Sequence, residues 1–239
     1  MMITVNTITK PASGKLKIRA MIMAVIFALI TVTLAGYYLY HAWNRYQQSA
    51  ESEALQLAQS AADLLPASHI ATLLQNPEDQ KTSVYRLLKE SLVRLVEKSK
   101  SVYYANIVYE KDGGFFSLAD SNPNLSAVYP LPDQVGINGK NFNYAPVFQN
   151  DSPALTQPFE NQWGAWIRAT AHIKDPVTDK AIAVLVLNYP AAAWRDKLWA
   201  KMIPDIIVTV VFIIFVLALF SLWQRYKKLK KDWESLAFR

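Results

Sequence analysis

The residues with the most evident chemistry stand at alternate positions of one short segment, 163–173. Extended chain places alternate side chains on opposite faces, so one face is small and apolar: Ala165, Ile167, Ala169, Ala171 and Ile173. The other face gathers an aromatic ring, a permanent cation, a hydroxyl and an imidazole, from Trp166, Arg168, Thr170 and His172. A guanidinium binds two oxygens at once, so an anion such as a carboxylate is the favoured ligand. The alternative is a face that is polar only because water touches it.

The sequence lacks the patterns expected of a catalytic or metal centre. Its three histidines are far apart, at His41, His69 and His172, and no spacing indicates a metal site. It has no cysteine, which excludes disulfides and thiolate chemistry. It has no nucleophile elbow or phosphate-binding glycine loop, and turn chemistry or solvation explains Asp112 and Asp120 better than a carboxylate pair does. We therefore expect no enzyme activity, no metal and no cofactor in this chain.

Two apolar runs frame the segment that holds these residues. Residues 206–223 are 18 positions without a formal charge and residues 20–40 are 21 such positions, lengths that cross about 30 Å of hydrocarbon. We predict transmembrane helices at 20–40 and 204–223. A cleaved signal peptide ending near Thr33-Leu34-Ala35 is the alternative for the first run. That run continues into aromatic residues suited to a membrane interface, which favours an uncleaved span.

The distribution of charge predicts an orientation. Residues 1–19 and 224–239 each have a net charge of +4, whereas residues 41–201 have a net charge of −1. Basic segments stay in the cytoplasm, so we expect a cytoplasmic tail (1–19), a periplasmic domain (41–201) and a cytoplasmic signalling-helix start (224–239). The absence of cysteine fits a bacterial inner membrane protein. The excess of positive charge then needs no nucleic-acid partner and contacts the lipid bilayer.

The middle segment predicts an α+β domain. Hydrophobic periodicity indicates helices at 43–65, 68–74 and 82–98. Two hairpins follow, with strands at 102–110 and 115–120 and at 163–173 and 181–189, separated by an irregular stretch at 121–158. Strands joined by hairpins pair antiparallel, so we expect helices on one face of an antiparallel sheet. Pro190 then opens a helix that runs into the second span.

Two heptad-like stretches predict a parallel homodimer. The first has a 4-3 spacing on the outer side of the membrane, at Trp43, Gln47, Ala50, Ala54, Leu57, Ala61 and Leu64. The second has the same spacing in the tail, at Leu222, Tyr226, Leu229, Trp233 and Leu236. For the first stretch, an amphipathic helix packed on its own domain is an equally good interpretation, and one helix can do both along different parts.

Several segments, taken in order, carry a family resemblance: YYANIVY (103–109), DGG (112–114), FSLADS (116–121), QPFENQWGAW (157–166), AVLVLNY (183–189) and Ala193-Trp194. Between two spans, this order resembles the extracytoplasmic PAS-like (Cache/PDC) sensor domains of bacterial two-span receptors, over roughly 43–198. The chain's last residues, WESLAFR (233–239), resemble the linker ahead of a GGDEF (diguanylate cyclase) domain.

The resemblance implies a small ligand on the sheet face away from the long helix, beneath a loop. The stretch 121–158 is then the candidate lid, and it brings Tyr129 and Tyr144. Tyr104 and Asp120 join the wall if their strands are neighbours. The candidate ligand-binding set is therefore Tyr104, Asp120, Tyr129, Tyr144, Trp166, Arg168, Thr170, His172 and Asn188. Such domains often carry an aspartate where this chain has Asn188, so amine recognition is not carried over there.

The function that the resemblance implies is signal sensing. A ligand bound in the periplasm would act through the second span on a cytoplasmic output, with a diguanylate cyclase beyond Arg239 as the first choice. The sensor of a histidine kinase or of a chemoreceptor is a close alternative. A membrane scaffold that binds a periplasmic protein is the other class. A pocket with convergent polar groups would favour sensing, and an exposed apolar patch would favour the scaffold.

Overall fold

The computed structural model describes residues 12–77, 81–122, 129–130, 144–150, 152–161 and 163–237. In chain order the helices are α1 (Ala12–Leu64), α2 (Ala67–Gln75), α3 (Ser83–Ser99), α4 (Ala145–Gln149) and α5 (Ala191–Ala237). The strands are β1 (Tyr104–Lys111), β2 (Gly114–Asp120), β3 (Tyr129–Pro130), β4 (Ala154–Leu155), β5 (Phe159–Asn161), β6 (Gly164–Lys174) and β7 (Ala181–Pro190). The chain forms two compact units, a helical unit (Met1–Arg45 with Lys201–Arg239) and a sheet unit (Tyr46–Ala200).

The helical unit contains the apolar parts of α1 and α5. Two helices of the described chain are long and apolar enough to cross a membrane, by length and composition. Only 6% of the apolar window of each is buried, as expected of side chains that face lipid rather than a protein core. Within the unit the rings of Phe27 and Phe220 stack at 4.6 Å, and the Tyr38 hydroxyl donates a hydrogen bond to Asp205 Oδ1 at 3.0 Å.

The sheet unit is built on an antiparallel sheet with the strand order β3-β2-β1-β7-β6-β4, and β5 also pairs with β6. The predicted α+β class and the two predicted hairpins, β1–β2 and β6–β7, are confirmed. The first hairpin turns at Asp112 and Gly113, whose φ angles of 53° and 75° are both left-handed. This is the two-residue Asp-Gly turn whose twist matches that of paired strands.

The stretch 121–158 was predicted to be irregular, and this prediction is only partly right. Its described residues include three short elements, β3, α4 and β4, of two to five residues each. Elements of this length show no periodicity in a sequence, because a helical or strand pattern needs several repeats to appear. Residues 123–128, 131–143 and 151 lie outside the described part of the chain.

One face of the sheet packs on the helices. Ile107, Leu185 and Leu187 of the central strands are fully buried there, in one cluster with Leu92 of α3. Four residues of the predicted apolar face of β6 join this cluster: Ile167, Ala169, Ala171 and Ile173. The strand alternation read from the sequence therefore assigns the correct face to the core.

The first heptad stretch packs on its own sheet unit. Within the sheet unit, the buried residues of α1 have a four-residue spacing, at Ala50, Ala54, Ala58 and Ala62. Gln47 is exposed, and Leu64 is 84% exposed. The structure thus shows the intramolecular packing that was one of the two interpretations. The homodimer stays a prediction, and other residues of the helix would have to form its contact.

Candidate functional site

The polar residues predicted for one face of β6 are joined by residues of β7 and β1 in a regular array. Arg168 lies opposite Asn188, and Asn188 lies opposite Tyr104. The next row joins Thr170 to Val186 and Asn106, and a third row begins at His172. Residues directly opposite one another project from the same face, so this array lies on the face away from the helical core.

Arg168 is the centre of the array. Its side chain is 4% exposed, and its Nε donates a hydrogen bond to Asn188 Oδ1 at 2.8 Å. Asn188 Nδ2 in turn donates to the backbone oxygen of Tyr104 at 3.3 Å. The guanidinium carbon lies 4.4 Å from the ring centroid of Phe159 and 5.8 Å from that of Tyr144. These contacts fix the orientation of the guanidinium plane.

The electrostatics of the array come from burial. Burial lowers the pKa of Arg168, and the neighbouring tyrosines, Tyr144 and Tyr104, act in the opposite direction. Burial also raises the pKa of Tyr144, which the Arg168 cation partly offsets. An arginine starts from so high a pKa that it stays a cation, and the tyrosine stays neutral. The site therefore holds a positive charge in a low-dielectric setting, where its attraction for an anion is strong.

His172 and Thr170 contact two segments of the candidate lid. His172 Nε2 lies 2.7 Å from the backbone oxygen of Val147 in α4, and the carbonyl can only accept, which assigns the ring proton to Nε2. The Thr170 hydroxyl donates to the backbone oxygen of Ala154 in β4 at 3.1 Å. Within the candidate lid, 121–158, the helix α4 thus lies against the predicted face, whereas β4 extends the sheet beside β6.

Three members of the predicted set lie apart from this centre. The indole nitrogen of Trp166 donates to Asn161 Oδ1 at 3.0 Å, and its ring contacts Tyr103 at 5.3 Å. Asp120 is buried opposite Asn106 on β1, two strands away from Arg168, and its Oδ1 lies 3.3 Å from Lys89 Nζ of α3. The backbone of Tyr129, in β3, pairs with that of Ser117, in β2. The side chain of Tyr129 lies outside the described part of the chain.

Sequence reasoning missed three residues of this face. Asn106 and Ser117 are buried polar residues that share the face, and the Ser117 hydroxyl makes no hydrogen bond within the described residues. Asn106 could have been found from the sequence, because it is two residues after the candidate Tyr104 in β1 and alternate residues of a strand share a face. The ring of Phe159 on the guanidinium could not be found this way, because β5 is three residues long and its register depends on the tertiary fold.

No protein-family model and no curated protein matches the chain. Among solved structures, it is similar to the ligand-binding domain of the Campylobacter jejuni chemoreceptor Tlp3 in complex with 4-methylisoleucine. The sequences are 14% identical over 73% of this chain and 62% of that chain, with a TM-score of 0.43. A domain of a protein assigned to the sensory box/GGDEF family from Vibrio parahaemolyticus is also 14% identical, over 68% and 61% of the two chains, with a TM-score of 0.40.

A third similar structure is the extracellular domain of mmHK1S-Z2, a protein assigned as a histidine kinase. It is 12% identical, over 69% of this chain and 61% of that one, with a TM-score of 0.38. This chain spans 61% to 62% of the length of these three neighbours. All three are described as parts of sensory or signalling proteins. What each of them binds is a property of that protein.

Proposed function

We propose that this chain is a transmembrane signal-sensing module whose sheet unit binds a small anionic ligand, with a carboxylate as the favoured class, beside Arg168. The observation that carries the proposal is the buried guanidinium, held in plane by Asn188 and flanked by the rings of Phe159 and Tyr144. A guanidinium fixed in this way is preorganised for two parallel hydrogen bonds to a carboxylate.

The alternative interpretation was a sheet face that is polar because water touches it. Arg168, Thr170, His172 and Asn188 are all buried, so water does not explain their polarity. Burying polar and charged groups costs free energy that an apolar face would avoid. A buried cation and its amide partner on a covered sheet face are the features of a recognition site rather than of a packed core.

The same contacts provide a route for a signal. Asn188 is two residues before the end of β7, and α5 begins directly after that end, at Ala191. A ligand that draws Arg168 toward itself changes the position of Asn188 and therefore of the last residues of β7. Since α5 continues to Ala237, a small displacement at its start is the kind of input that a helix shift transmits.

The experiment that tests the ligand class uses the full chain in lipid nanodiscs and a panel of small carboxylates, each paired with its neutral amide. We expect at least one carboxylate to raise the melting temperature while its amide does not. Arg168→Ala should abolish that shift, and Arg168→Lys should restore part of it, because the charge returns without the planar fork. Circular dichroism confirms that both variants are folded. A carboxylate that binds Arg168→Ala as tightly as it binds the original chain would contradict the proposal.

The remaining parts of the proposal concern the membrane and the output. We propose that residues 20–40 and 204–223 cross a bacterial inner membrane and that residues 41–201 are periplasmic. The basic segments 1–19 and 224–239 would then be cytoplasmic. We further propose that two copies form a homodimer and that a diguanylate cyclase follows Arg239, with a histidine kinase or chemoreceptor output as the alternative. The two apolar helices and the charge distribution support the topology.

The topology predicts opposite results for two reporters. A fluorescent protein fused after Arg239 should be fluorescent, because it folds in the cytoplasm, and alkaline phosphatase fused at the same place should be inactive. Alkaline phosphatase inserted at Val177, a 90% exposed turn residue of the sheet unit, should be active. Activity of the phosphatase after Arg239 would reverse the predicted orientation.

A further inference from the structure

The helical unit holds α1 and α5 side by side and in opposite directions. Two contacts between them show this: the rings of Phe27 and Phe220 stack at 4.6 Å, and the Tyr38 hydroxyl donates a hydrogen bond to Asp205. Residue numbers therefore rise along α1 in the direction in which they fall along α5. The start of α1 and the end of α5 consequently lie at the same end of the unit, which we call the basic end (residues 12–19 and 224–237).

The basic end carries more positive charge than its own acids neutralise. Five of its described side chains are exposed cations: Arg19 of α1 and Arg225, Lys227, Lys228 and Lys230 of α5. Lys230 lies 3.9 Å from the carboxylate of Glu234, and the other four form no salt bridge with any described residue. Cations that stand close together repel one another, so an anion from outside the chain stabilises this end.

Arg19 and Lys228 stand at matching heights on the two helices. Arg19 is eight residues before Phe27, and Lys228 is eight residues after Phe220. At about 1.5 Å per residue, each cation is about 12 Å beyond the stacked rings along its helix. Phe220 and Gln224 are half-buried, and Lys228, four residues further on, continues their row on the side of α5 that faces α1. The basic end thus presents cations on two adjacent helices at one level.

An aromatic residue places this level in the headgroup layer of a membrane. Trp223 ends the apolar run of α5, and tryptophan favours the boundary between hydrocarbon and water. The Nζ of Lys227 lies 3.6 Å from the centroid of the Trp223 ring, so this ammonium stays close to that boundary. Lys228 is five residues beyond Trp223, about 8 Å along the helix. The headgroup layer of one leaflet is about 5–8 Å thick, so the cations lie at the depth of lipid phosphates.

Two phosphates joined in one headgroup fit two helices better than one phosphate does. A single phosphodiester carries one negative charge, whereas a headgroup with two phosphates can place one against each helix. Linking the phosphates makes the second contact intramolecular, which strengthens binding without a new kind of contact. The acyl chains have apolar surface to lie on, since only 6% of the apolar window of each helix is buried. Clusters of cations between spans bind headgroups of this kind.

We propose that the basic end is a binding site for a phospholipid whose headgroup carries two phosphates, as that of cardiolipin does. One phosphate contacts Arg19 on α1, and the other contacts Lys228 on α5. Such a lipid holds the two helices together at this end and favours the arrangement in which they are neighbours. The inference rests on the two proposed spans, and it does not depend on the ligand of the Arg168 face.

The test titrates the full chain in a neutral detergent with cardiolipin and counts the bound lipids by native mass spectrometry. Phosphatidylglycerol at twice the molar concentration is the reference, because it supplies the same amount of phosphate on separate molecules. We expect one cardiolipin to bind saturably and about tenfold more tightly than phosphatidylglycerol does.

Arg19→Gln and Lys228→Gln each remove one cation of the site, on different helices. Each should weaken cardiolipin binding about fivefold, as expected for the loss of one cation near a lipid surface. Lys180→Gln is the matched control, because it removes the same charge at an exposed position of the turn between β6 and β7. It should leave cardiolipin binding unchanged, and an equal loss in this control would reveal a general effect of charge and contradict the proposal.

Three other results would overturn the lipid site. The first is equal affinity for the two lipids at equal phosphate. The second is a loss caused by Lys228→Gln but not by Arg19→Gln, because the end of α5 alone would then attract the lipid. The third is displacement of cardiolipin by inorganic phosphate, which would show an anion site that needs no lipid. The phosphatase fusions test the two spans independently, so an error in the topology is distinguished from an error in the lipid site.

Discussion

Replacing Asn188 with aspartate is expected to lower the affinity for a carboxylate ligand by about a hundredfold while the sheet unit stays folded. Arg168 Nε already donates to Asn188 Oδ1 at 2.8 Å, and the new carboxylate can keep that hydrogen bond, while its second oxygen replaces the Nδ2 that donates to the Tyr104 backbone oxygen. The new carboxylate adds a negative charge next to the guanidinium. Opposite charges about 4 Å apart interact by several kcal/mol at a protein-like dielectric constant, and about 2.7 kcal/mol corresponds to a hundredfold change in affinity.

The measurement is calorimetric titration of the carboxylate identified in the nanodisc screen against Asn188→Asp. Asn106→Asp is the control, because Asn106 is also a buried asparagine of the same sheet face but lies opposite Val186 and Asp120 instead of next to Arg168. The control should lose far less affinity. Its melting temperature shows how much an added carboxylate costs when it is buried opposite Asp120.

Asn188→Asp also shows whether the ligand is a simple anion or a zwitterionic amino acid. A zwitterion also carries an ammonium group, which an aspartate at position 188 would attract. If Asn188→Asp binds amino acids more tightly than the original chain does, the ligand class proposed for the Arg168 face is wrong. If Asn188→Asp binds carboxylates more weakly and amino acids no more tightly, the arginine cation determines the specificity of this face.

Parts of this site could be predicted from the sequence because they depend only on strand alternation. The polar face of β6 follows from a period of two, and pairing within the β6–β7 hairpin brings Asn188 opposite Arg168. The neighbour relation of β1 and β7, which brings Tyr104 to Asn188, is not local. In the sequence it stayed a condition, because Tyr104 was included only if the two strands are neighbours.

Other parts depend on interactions that no local pattern encodes. Asp120 was a candidate for the ligand wall, but its carboxylate lies next to Lys89 of α3. The register shift between Ile107 and Val108 adds a residue to β2 and places Asp120 opposite Asn106, so a bulge that no local pattern encodes sets the position of this carboxylate. The short helix α4 contacts the polar face through His172, and β4 pairs with β6 at the edge of the sheet. Sequence spacing predicts neither contact.

The heptad in α1 shows how one pattern fits two structures. Residues at 4-3 spacing form one helix stripe whether the surface they meet belongs to a second copy or to the same chain. The heptad alanines Ala50 and Ala54, and the neighbouring Ala58 and Ala62 of the same helix, are small enough for either. Burial decides the matter for these four positions, since a single chain already covers them. Cysteines at Ala50 or Ala54 are therefore poor probes of a dimer, and exposed positions such as Gln47 or Gln48 are better ones.

Ala58→Arg is accordingly expected to unfold the sheet unit. Ala58 is fully buried in the cluster that joins α1 to α3 and the sheet, so the new side chain must either bury an unpaired cation or push the helix away. Burying a charge without a partner costs several kcal/mol. The free energy of unfolding of a typical domain is only about 5–15 kcal/mol, so this cost is a large share of it.

Far-ultraviolet circular dichroism and protease sensitivity of the full chain in nanodiscs measure the effect. Ser60→Arg is the control, because Ser60 is two residues away on the exposed side of the same helix and should tolerate the change. If the stripe formed a seam between two copies instead, Ala58→Arg would leave a folded monomer, because only the contact between copies would be lost. A folded, protease-resistant Ala58→Arg protein would show that the intramolecular packing of α1 is wrong.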